Sequence, residues 1–205
     1  MSQPYILILY YSLTGSTAKM AQQLARGVEE VEGLDVRVRT VPRVFTGLDE
    51  PPTATLPEQG PPYVTLDDLR DCAGLILGSP SRFGNMATAL KYFIDSTGGL
   101  WLSGALSGKP AGVFTSTSNM HGGQETTLLS MILPLLHQGM IWVGLPPTEP
   151  DLRTTKSGGT PYGPSHVSGP ESKHTLTDEE IRLCKHYGKR IAQIALTLAL
   201  AEQVT

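Results

Sequence analysis

Apolar runs alternate along the chain with segments whose apolar residues recur every three or four positions. The first run, Tyr5 to Tyr11, is apolar throughout and rich in strand formers, which is typical of a parallel strand buried on both faces. The segment from about Ser16 to Glu32 spaces Met20, Leu24 and Val28 along one side. This spacing predicts an amphipathic helix that follows the first strand.

Four further apolar runs predict four more strands, at residues 35–41, 72–78, 109–116 and 140–145. The first of them alternates valine with arginine, as expected of an edge strand with one wetter side. Helices are predicted between the runs, at residues 66–71, 86–96 and 125–138. We expect Pro134 to kink the last of these. A final helix is predicted to start at Thr177, because Glu180 completes a capping box three residues later.

Five alternations of strand and helix indicate the α/β class. Parallel strands need crossover helices, so the pattern predicts a doubly wound five-stranded parallel sheet with helices on both faces. The flavodoxin-like strand order 2-1-3-4-5 is the simplest arrangement. We predict one domain over residues 1–205, with irregular insertions at about 42–62 and 146–174 that are rich in Gly, Pro, Ser and Thr.

Composition and charge narrow the function classes. There are 16 Lys and Arg residues against 19 Asp and Glu residues, a formal net charge of -3, which argues against a nucleic-acid partner. The two cysteines, Cys72 and Cys184, are far apart, as expected in a reducing compartment. We expect no signal peptide and no membrane span, since the apolar stretch 191–201 is too short for one. A cytoplasmic protein is predicted.

The loop after the first strand is dense in hydroxyl groups. It comprises Ser12, Leu13, Thr14, Gly15, Ser16 and Thr17. At the N-terminus of a helix, such hydroxyls and the free backbone N–H groups favour an anion. Because the loop has no Lys or Arg, a permanently held monophosphate suits it better than a triphosphate. The alternative is an ordinary capped turn, since Ser and Thr are common N-caps.

Competing motifs for nucleotides, hydrolysis and metals fail. No GxGxxG follows a strand, which argues against a dinucleotide fold. Gly104 to Lys109 resembles a triphosphate loop, but three residues separate its glycines instead of four, and Pro110 replaces the metal-binding hydroxyl. The sequence has no GxSxG nucleophile motif. The five histidines show no metal-ligand spacing, so no metal site is predicted.

Two further loops follow the third and fourth strands and are predicted to meet the first loop at one edge of the sheet. The second loop offers planar donors and an aromatic face through Pro80, Ser81, Arg82, Phe83 and Asn85. The third offers small polar groups through Ser116, Thr117, Ser118, Asn119 and Gly122. A planar heterocycle with carbonyl edges would fit between them. Each loop taken alone is equally compatible with a surface turn.

Two aromatic side chains outside these loops remain ambiguous. Trp101 lies in a Gly-rich segment and is either a stacking lid or part of the core. His137 lies near the end of a predicted helix, where a lone histidine is more often a helix-end cation than a catalytic base.

Several stretches together resemble the WrbA family of flavodoxin-like NAD(P)H:quinone oxidoreductases. The resemblance spans residues 10–163 and is carried by residues 10–12, 78–86, 97–101, 122–125, 137–140 and 158–163. The most specific segments are PSRFGNM at 80–86 and GGTPYG at 158–163. Two features depart from the pattern. The family usually has Tyr where this chain has Thr14, and the third loop, at residues 118–123, is slightly longer than is common in the family.

The resemblance implies FMN as the cofactor, NADH or NADPH as the electron donor, two-electron reduction of quinones and a homotetramer. It places residues 12–17 at the flavin phosphate, with residues 81–83 and 116–119 along the isoalloxazine. His137 would contact the flavin across a subunit boundary, and Trp101 would line a pocket that quinone and nicotinamide occupy in turn, in a ping-pong reaction. The alternative is a non-enzymatic electron carrier of the flavodoxin type, which the Thr14-Gly15 loop also resembles.

Overall fold

The computed structural model describes residues 3–45 and 57–202, and the middle of the predicted 42–62 insertion lies outside them. Within these residues the strands are β1 (Tyr5–Tyr10), β2 (Asp35–Thr40), β3 (Gly74–Pro80), β4 (Pro110–Thr117), β5 (Ile141–Trp142) and β6 (Ser165–Val167). The helices are α1 (Ser16–Val28), α2 (Leu66–Arg70), α3 (Thr88–Asp95), α4 (Gly98–Leu102), α5 (Gln124–His137), α6 (Asp151–Thr154) and α7 (Asp178–Glu202). None of the described helices is long and apolar enough to cross a membrane.

The sheet is parallel in the order β2-β1-β3-β4-β5, which confirms the prediction, and β2 is the edge strand. The predicted fifth strand at 140–145 is wrong in extent, because its place is shared by two short strands. β5 pairs with the start of β4, and β6 pairs with its end. After β5 the chain turns away from β4 and returns to it at β6. In the intervening segment the Leu145 N–H donates to Pro161 O at 3.0 Å. The returning segment thus takes hydrogen bonds that a longer fifth strand would make.

Side-chain alternation along β1 builds one hydrophobic core on each face of the sheet. Leu7 and Leu9 pack with residues of α3 and α5, whereas Ile6 and Ile8 pack with residues of α1 and α7. All four side chains are fully buried. Burying each stabilises the fold by about 1.5–3 kcal/mol, so the helices on both faces are held firmly against the sheet.

Helices α1 and α7 cross at very close range, because glycines lie on both sides of the contact. A Cβ atom added to Gly27 would overlap the carbonyl of Lys185, and one added to Gly188 would overlap the carbonyl of Leu24. The two backbones therefore touch directly. This contact fixes α1, whose N-terminus follows the hydroxyl-rich loop, against the longest helix of the chain.

Some element boundaries differ from the sequence prediction. The first helix ends at Val28 instead of extending to Glu32. Helix α4 was not predicted, and α6 and β6 lie inside the 146–174 stretch that was expected to be irregular. Helix α5 extends past Pro134 to its last residue, His137.

The predicted capping box at the start of α7 is confirmed and belongs to a larger buried network. The Glu180 N–H donates to Thr177 Oγ1 at 3.2 Å, and the Thr177 N–H donates to Glu180 Oε2 at 2.9 Å. The fully buried carboxylate also accepts from the Ser157 hydroxyl and the Gly158 N–H, and lies 2.8 Å from His166 Nδ1. Burial alone would raise the pKa of the Glu180 carboxyl, but these hydrogen bonds, led by that from His166, bring it below its ordinary value.

Replacing this carboxylate is expected to destabilise the protein at neutral pH and much less in acid. A lowered pKa contributes stability that is present above the ordinary value of 4.5 and is lost as the pH falls through the folded-state value. Glu180→Gln should cost about 1–3 kcal/mol of unfolding free energy at pH 7. Urea unfolding at pH 7 and pH 4 would measure the change, with the exposed Glu32→Gln as a control. The same loss at both pH values would contradict the role given to the charge.

Candidate functional site

The three predicted loops lie at the carboxyl ends of adjacent parallel strands. One connects β1 to α1, the second connects β3 to α3, and the third connects β4 to α5. Since β3 lies between β1 and β4, the loops share one edge of the sheet, where open α/β sheets bind ligands.

The first loop presents a set of backbone donors at the N-terminus of α1. Gly15 adopts a left-handed conformation with φ of 92°, and Ser12 Oγ accepts from the Gly15 N–H at 3.1 Å and the Ala18 N–H at 3.4 Å. Among the described residues, no acceptor is found for the N–H groups of Leu13, Thr14, Ser16 and Thr17. Unpaired donors at the positive end of a helix dipole suit an anion.

Hydrogen bonds tie the three loops into one unit. Thr17 Oγ1 lies 2.9 Å from Ser116 Oγ, which joins the first loop to the third. The Ser81 N–H donates to Ser116 O at 2.8 Å, and the Ser81 hydroxyl donates to Gly122 O at 3.0 Å, which joins the second loop to the third. The hydroxyls that the sequence singled out therefore position one another.

A small cavity of about 120 Å³ opens between the loops. The sequence-predicted residues that line it are Ser12, Leu13, Thr14, Thr17, Pro80, Ser81, Arg82, Ser116, Thr117 and Ser118. The lining contains hydroxyls and one cation, the Arg82 guanidinium, and no carboxylate. The volume is below the 300–1,000 Å³ usual for a whole ligand, so this cavity suits a phosphate-sized anion.

Two serines of this cavity were missed by the sequence reasoning. Ser168 and Ser172 follow β6, at the end of the stretch that was predicted to be an irregular insertion. A hydroxyl-rich loop after a strand was the signal that located residues 12–17, but β6 is only three residues long and has no recognisable apolar run. The pairing of β6 with β4 alone brings these serines to the site.

A second, larger cavity of about 450 Å³ adjoins the first, and Leu13 and Arg82 line both. Phe83 lies at its edge with φ of 53°, fully exposed to solvent. The structure thus leaves open space beside the loop where a planar ring was expected. Asn85 Oδ1 accepts from the Met86 N–H at 2.8 Å and shapes this turn.

Trp101 and His137 lie together, but at a distance from the loops. Their rings stack with centroids 5.7 Å apart, and Trp101 Nε1 donates to His137 O at 3.1 Å. His137 ends α5, whereas the third loop precedes its first residue, so about 20 Å of helix separates them at 1.5 Å per residue. Trp101 is about half exposed, which removes the core alternative. Within one chain neither side chain reaches the cavity.

Comparison with known proteins is consistent with this arrangement. A family model described as NADPH-dependent FMN reductase matches residues 4–145. A protein of Geotalea uraniireducens (strain Rf4), named NAD(P)H dehydrogenase (quinone), is 39% identical and covers 95% of this chain and 98% of its own. A protein of the same name from Syntrophobacter fumaroxidans is 40% identical over 94% of this chain and 98% of its own.

Solved structures of lower identity share the fold. A flavodoxin, WrbA-like protein from Agrobacterium tumefaciens superimposes with a TM-score of 0.64 at 20% identity, covering 95% of this chain and 98% of its own. A flavodoxin from the domain Archaea gives 0.62 at 21% identity, covering 93% and 98%. These likenesses confirm the flavodoxin-like architecture.

Proposed function

We propose that this chain is an FMN-dependent oxidoreductase that reduces quinones with NADH or NADPH. The chain belongs to the family of NADPH-dependent FMN reductases, and it is related to proteins named NAD(P)H dehydrogenase (quinone). The observation that carries the proposal is the set of unpaired N–H groups and hydroxyls in the three hydrogen-bonded loops. This donor set fits the phosphate monoester of FMN.

The first loop would hold the flavin phosphate. Its four unpaired N–H groups, at Leu13, Thr14, Ser16 and Thr17, are pre-oriented, because Ser12 and Gly15 fix the turn before any ligand arrives. Donors arranged in advance need no rearrangement on binding. Arg82 adds a positive charge at the cavity wall.

The second loop borders the larger cavity through Arg82 and Phe83. The third loop lines the small cavity beside it through Ser116, Thr117 and Ser118, so the two loops would flank the flavin ring where the cavities adjoin. We place Pro80, Ser81, Arg82, Phe83 and Asn85 on one side, and Ser116, Thr117, Ser118, Asn119 and Gly122 on the other. When bound, FMN supplies hydride and electron transfer, so no protein nucleophile is required. The loops orient the reactants, and their N–H donors favour negative charge at the ring edge.

The homotetramer is also part of the proposal, and it would complete the site. Leu129, Leu133 and Leu136 on α5 are between 43% and 67% exposed, and Trp101 stacks on His137 at the end of the same helix. A row of exposed leucines along one helix is suited to burial against a second copy of the chain. Such a contact would carry His137 and Trp101 of a neighbouring subunit toward the flavin, in the pocket shared by nicotinamide and quinone.

The cytoplasm is the proposed location. Both cysteines of the chain, Cys72 and Cys184, are buried and unpaired. Burial raises the pKa of the Cys72 thiol to about 11 and that of Cys184 further still, so neither is a reactive thiolate at neutral pH. Unpaired structural cysteines are usual in a reducing compartment.

The decisive experiment mixes the flavin-loaded protein with NADH or NADPH in a stopped-flow instrument and follows the flavin absorbance. We expect rapid bleaching, followed by recovery when benzoquinone is added. Steady-state rates at several fixed quinone concentrations should give parallel double-reciprocal lines, as a shared pocket requires.

Absence of bleaching with both nicotinamides would contradict the enzyme and favour the flavodoxin-type electron carrier. Intersecting lines would remove the ping-pong mechanism while leaving the activity in place. If the purified protein released FAD instead of FMN when heated, the assignment of FMN as its cofactor would be wrong.

A further inference from the structure

The residues that follow β6 form a tight turn against the phosphate-sized cavity. We call residues 168–172, Ser-Gly-Pro-Glu-Ser, the serine turn. Its first and last residues, Ser168 and Ser172, line the 120 Å³ cavity together with the three loops already described. The cavity therefore has a fourth wall, which comes from a part of the chain distant in sequence from the other three.

The serine turn is anchored to the strand that carries the third loop. Both the N–H and the hydroxyl of Ser168 donate to Thr117 O, at 2.8 and 2.9 Å. The turn closes through the Ser172 N–H, which donates to Gly169 O at 3.0 Å, and the His174 N–H donates to Ser168 O at 2.9 Å. Because Thr117 itself lines the cavity, the turn cannot move without disturbing the site.

The two serine hydroxyls differ in what they can still donate. The Ser168 proton is committed to Thr117 O, so this hydroxyl holds the turn in place. The Ser172 hydroxyl has no hydrogen-bond partner among the residues that the structure describes, and the side chain is only half-buried at the cavity wall. A phosphate accepts hydrogen bonds and donates almost none at neutral pH, so the Ser172 hydroxyl can donate its free proton to a phosphate oxygen.

The backbone at Ser172 holds the side chain in this place. Its φ of 54° lies in the left-handed region, which residues other than glycine and asparagine seldom adopt. Glu171 of the turn pairs through its carboxylate with the ammonium of the next residue after the turn, Lys173, at 2.7 Å, and both side chains are exposed. The turn thus presents a hydroxyl to the cavity and keeps its charges in solvent.

We propose that Ser172 is a further ligand of the FMN phosphate and that the serine turn selects a flavin monophosphate over a flavin dinucleotide. The proposal rests on FMN binding as proposed above. FMN ends at a phosphate monoester, whereas FAD continues through a second phosphate to adenosine. A cavity of about 120 Å³ with the serine turn as one wall has room for the first group. We expect the longer ligand to fit only if the turn moves away from Thr117.

The test titrates the full-length apoprotein with FMN, riboflavin and FAD and follows quenching of flavin fluorescence. We expect wild type to bind FMN most tightly. Ser172→Gly relieves the left-handed backbone and removes the hydroxyl, so FMN affinity should fall about 10- to 100-fold. Riboflavin affinity should not change, because riboflavin has no phosphate. Ser172→Asn tolerates the same backbone and keeps an N–H donor, so it should bind FMN more tightly than Ser172→Gly.

Each outcome decides the proposal. Unchanged FMN affinity in Ser172→Gly, an equal loss for FMN and riboflavin, or equal FMN affinity in the Gly and Asn variants would overturn the ligand role of Ser172. Wild-type binding of FAD as tight as that of FMN would overturn the selection. The exposed Ser103→Gly should leave all three affinities unchanged. Wild type that binds neither FMN nor riboflavin would overturn the proposed function itself.

Discussion

Replacing Gly188 by alanine is expected to lower the unfolding free energy by about 3 kcal/mol or more, a large share of the 5–15 kcal/mol available to a domain. The added methyl group would overlap the Leu24 carbonyl on α1. Since the obstacle is backbone and not the end of a flexible side chain, α1 and α7 must separate. Their separation opens the core that includes Met20 and Tyr187.

The measurement is chemical unfolding of the variant beside Gly27→Ala, which makes the same contact from the other helix. Gly99→Ala is the matched control, because it is also a helical glycine but its Cβ would meet no atom within 4 Å. That control should be neutral, or more stable by up to about 1 kcal/mol through helix propensity. A Gly188→Ala protein as stable as wild type would refute the direct backbone contact.

Replacing Leu133 by glutamate is expected to dissociate the proposed tetramer, because a charge forced into an interface core destabilises the association by about 2 kcal/mol or more. The kcat for quinone reduction should then fall tenfold or more. Leu133 is 67% exposed in the single chain, so the substitution should not unfold it. The activity falls because His137 and Trp101 of the neighbour no longer reach the flavin. The phosphate contacts belong to one chain and should remain.

Light scattering and steady-state kinetics on the same preparation would test this. Leu66→Glu is the control, since Leu66 is also an exposed leucine but starts α2, away from the α5 row. It should leave both the mass and kcat at wild-type values. A wild-type protein that scatters as a monomer would dismiss the tetramer, and with it the role of His137 across the boundary.

Local sequence patterns were sufficient for the first strand, the loop after it and the capping box of the last helix, whereas the strand order came from the simplest arrangement of alternating strands and helices. The continuous apolar run at Tyr5–Tyr10 is typical of a strand buried on both faces, and Ser12–Thr17 follows it at the start of a helical pattern. The capping box of Thr177 and Glu180 is likewise a local interaction. Each of these features depends on residues a few positions apart, which is why the sequence predicts them.

The features that were missed depend on contacts between distant residues. The fifth strand is split because Leu145 pairs with Pro161 instead of continuing along β4, and no local propensity encodes that choice. Ser172 reaches the cavity only because Ser168 is bonded to Thr117, 51 residues away. The hydrogen-bond partners of Glu180 similarly come from three separate segments of the chain. The sequence therefore predicted its capping role but not the buried network around its carboxylate.

The edge strand β2 limits how copies of this protein can associate. An open strand edge is a template on which another molecule can add a strand, and charged side chains discourage this. Here Arg37 lies 3.8 Å from the Tyr5 ring centroid, Arg39 pairs with Asp68 at 3.1 Å, and Tyr63 already pairs with the end of the strand at Thr40. Growth of a continuous sheet from subunit to subunit is therefore disfavoured on this side. Any association at this side of the molecule must therefore use surfaces other than the strand edge.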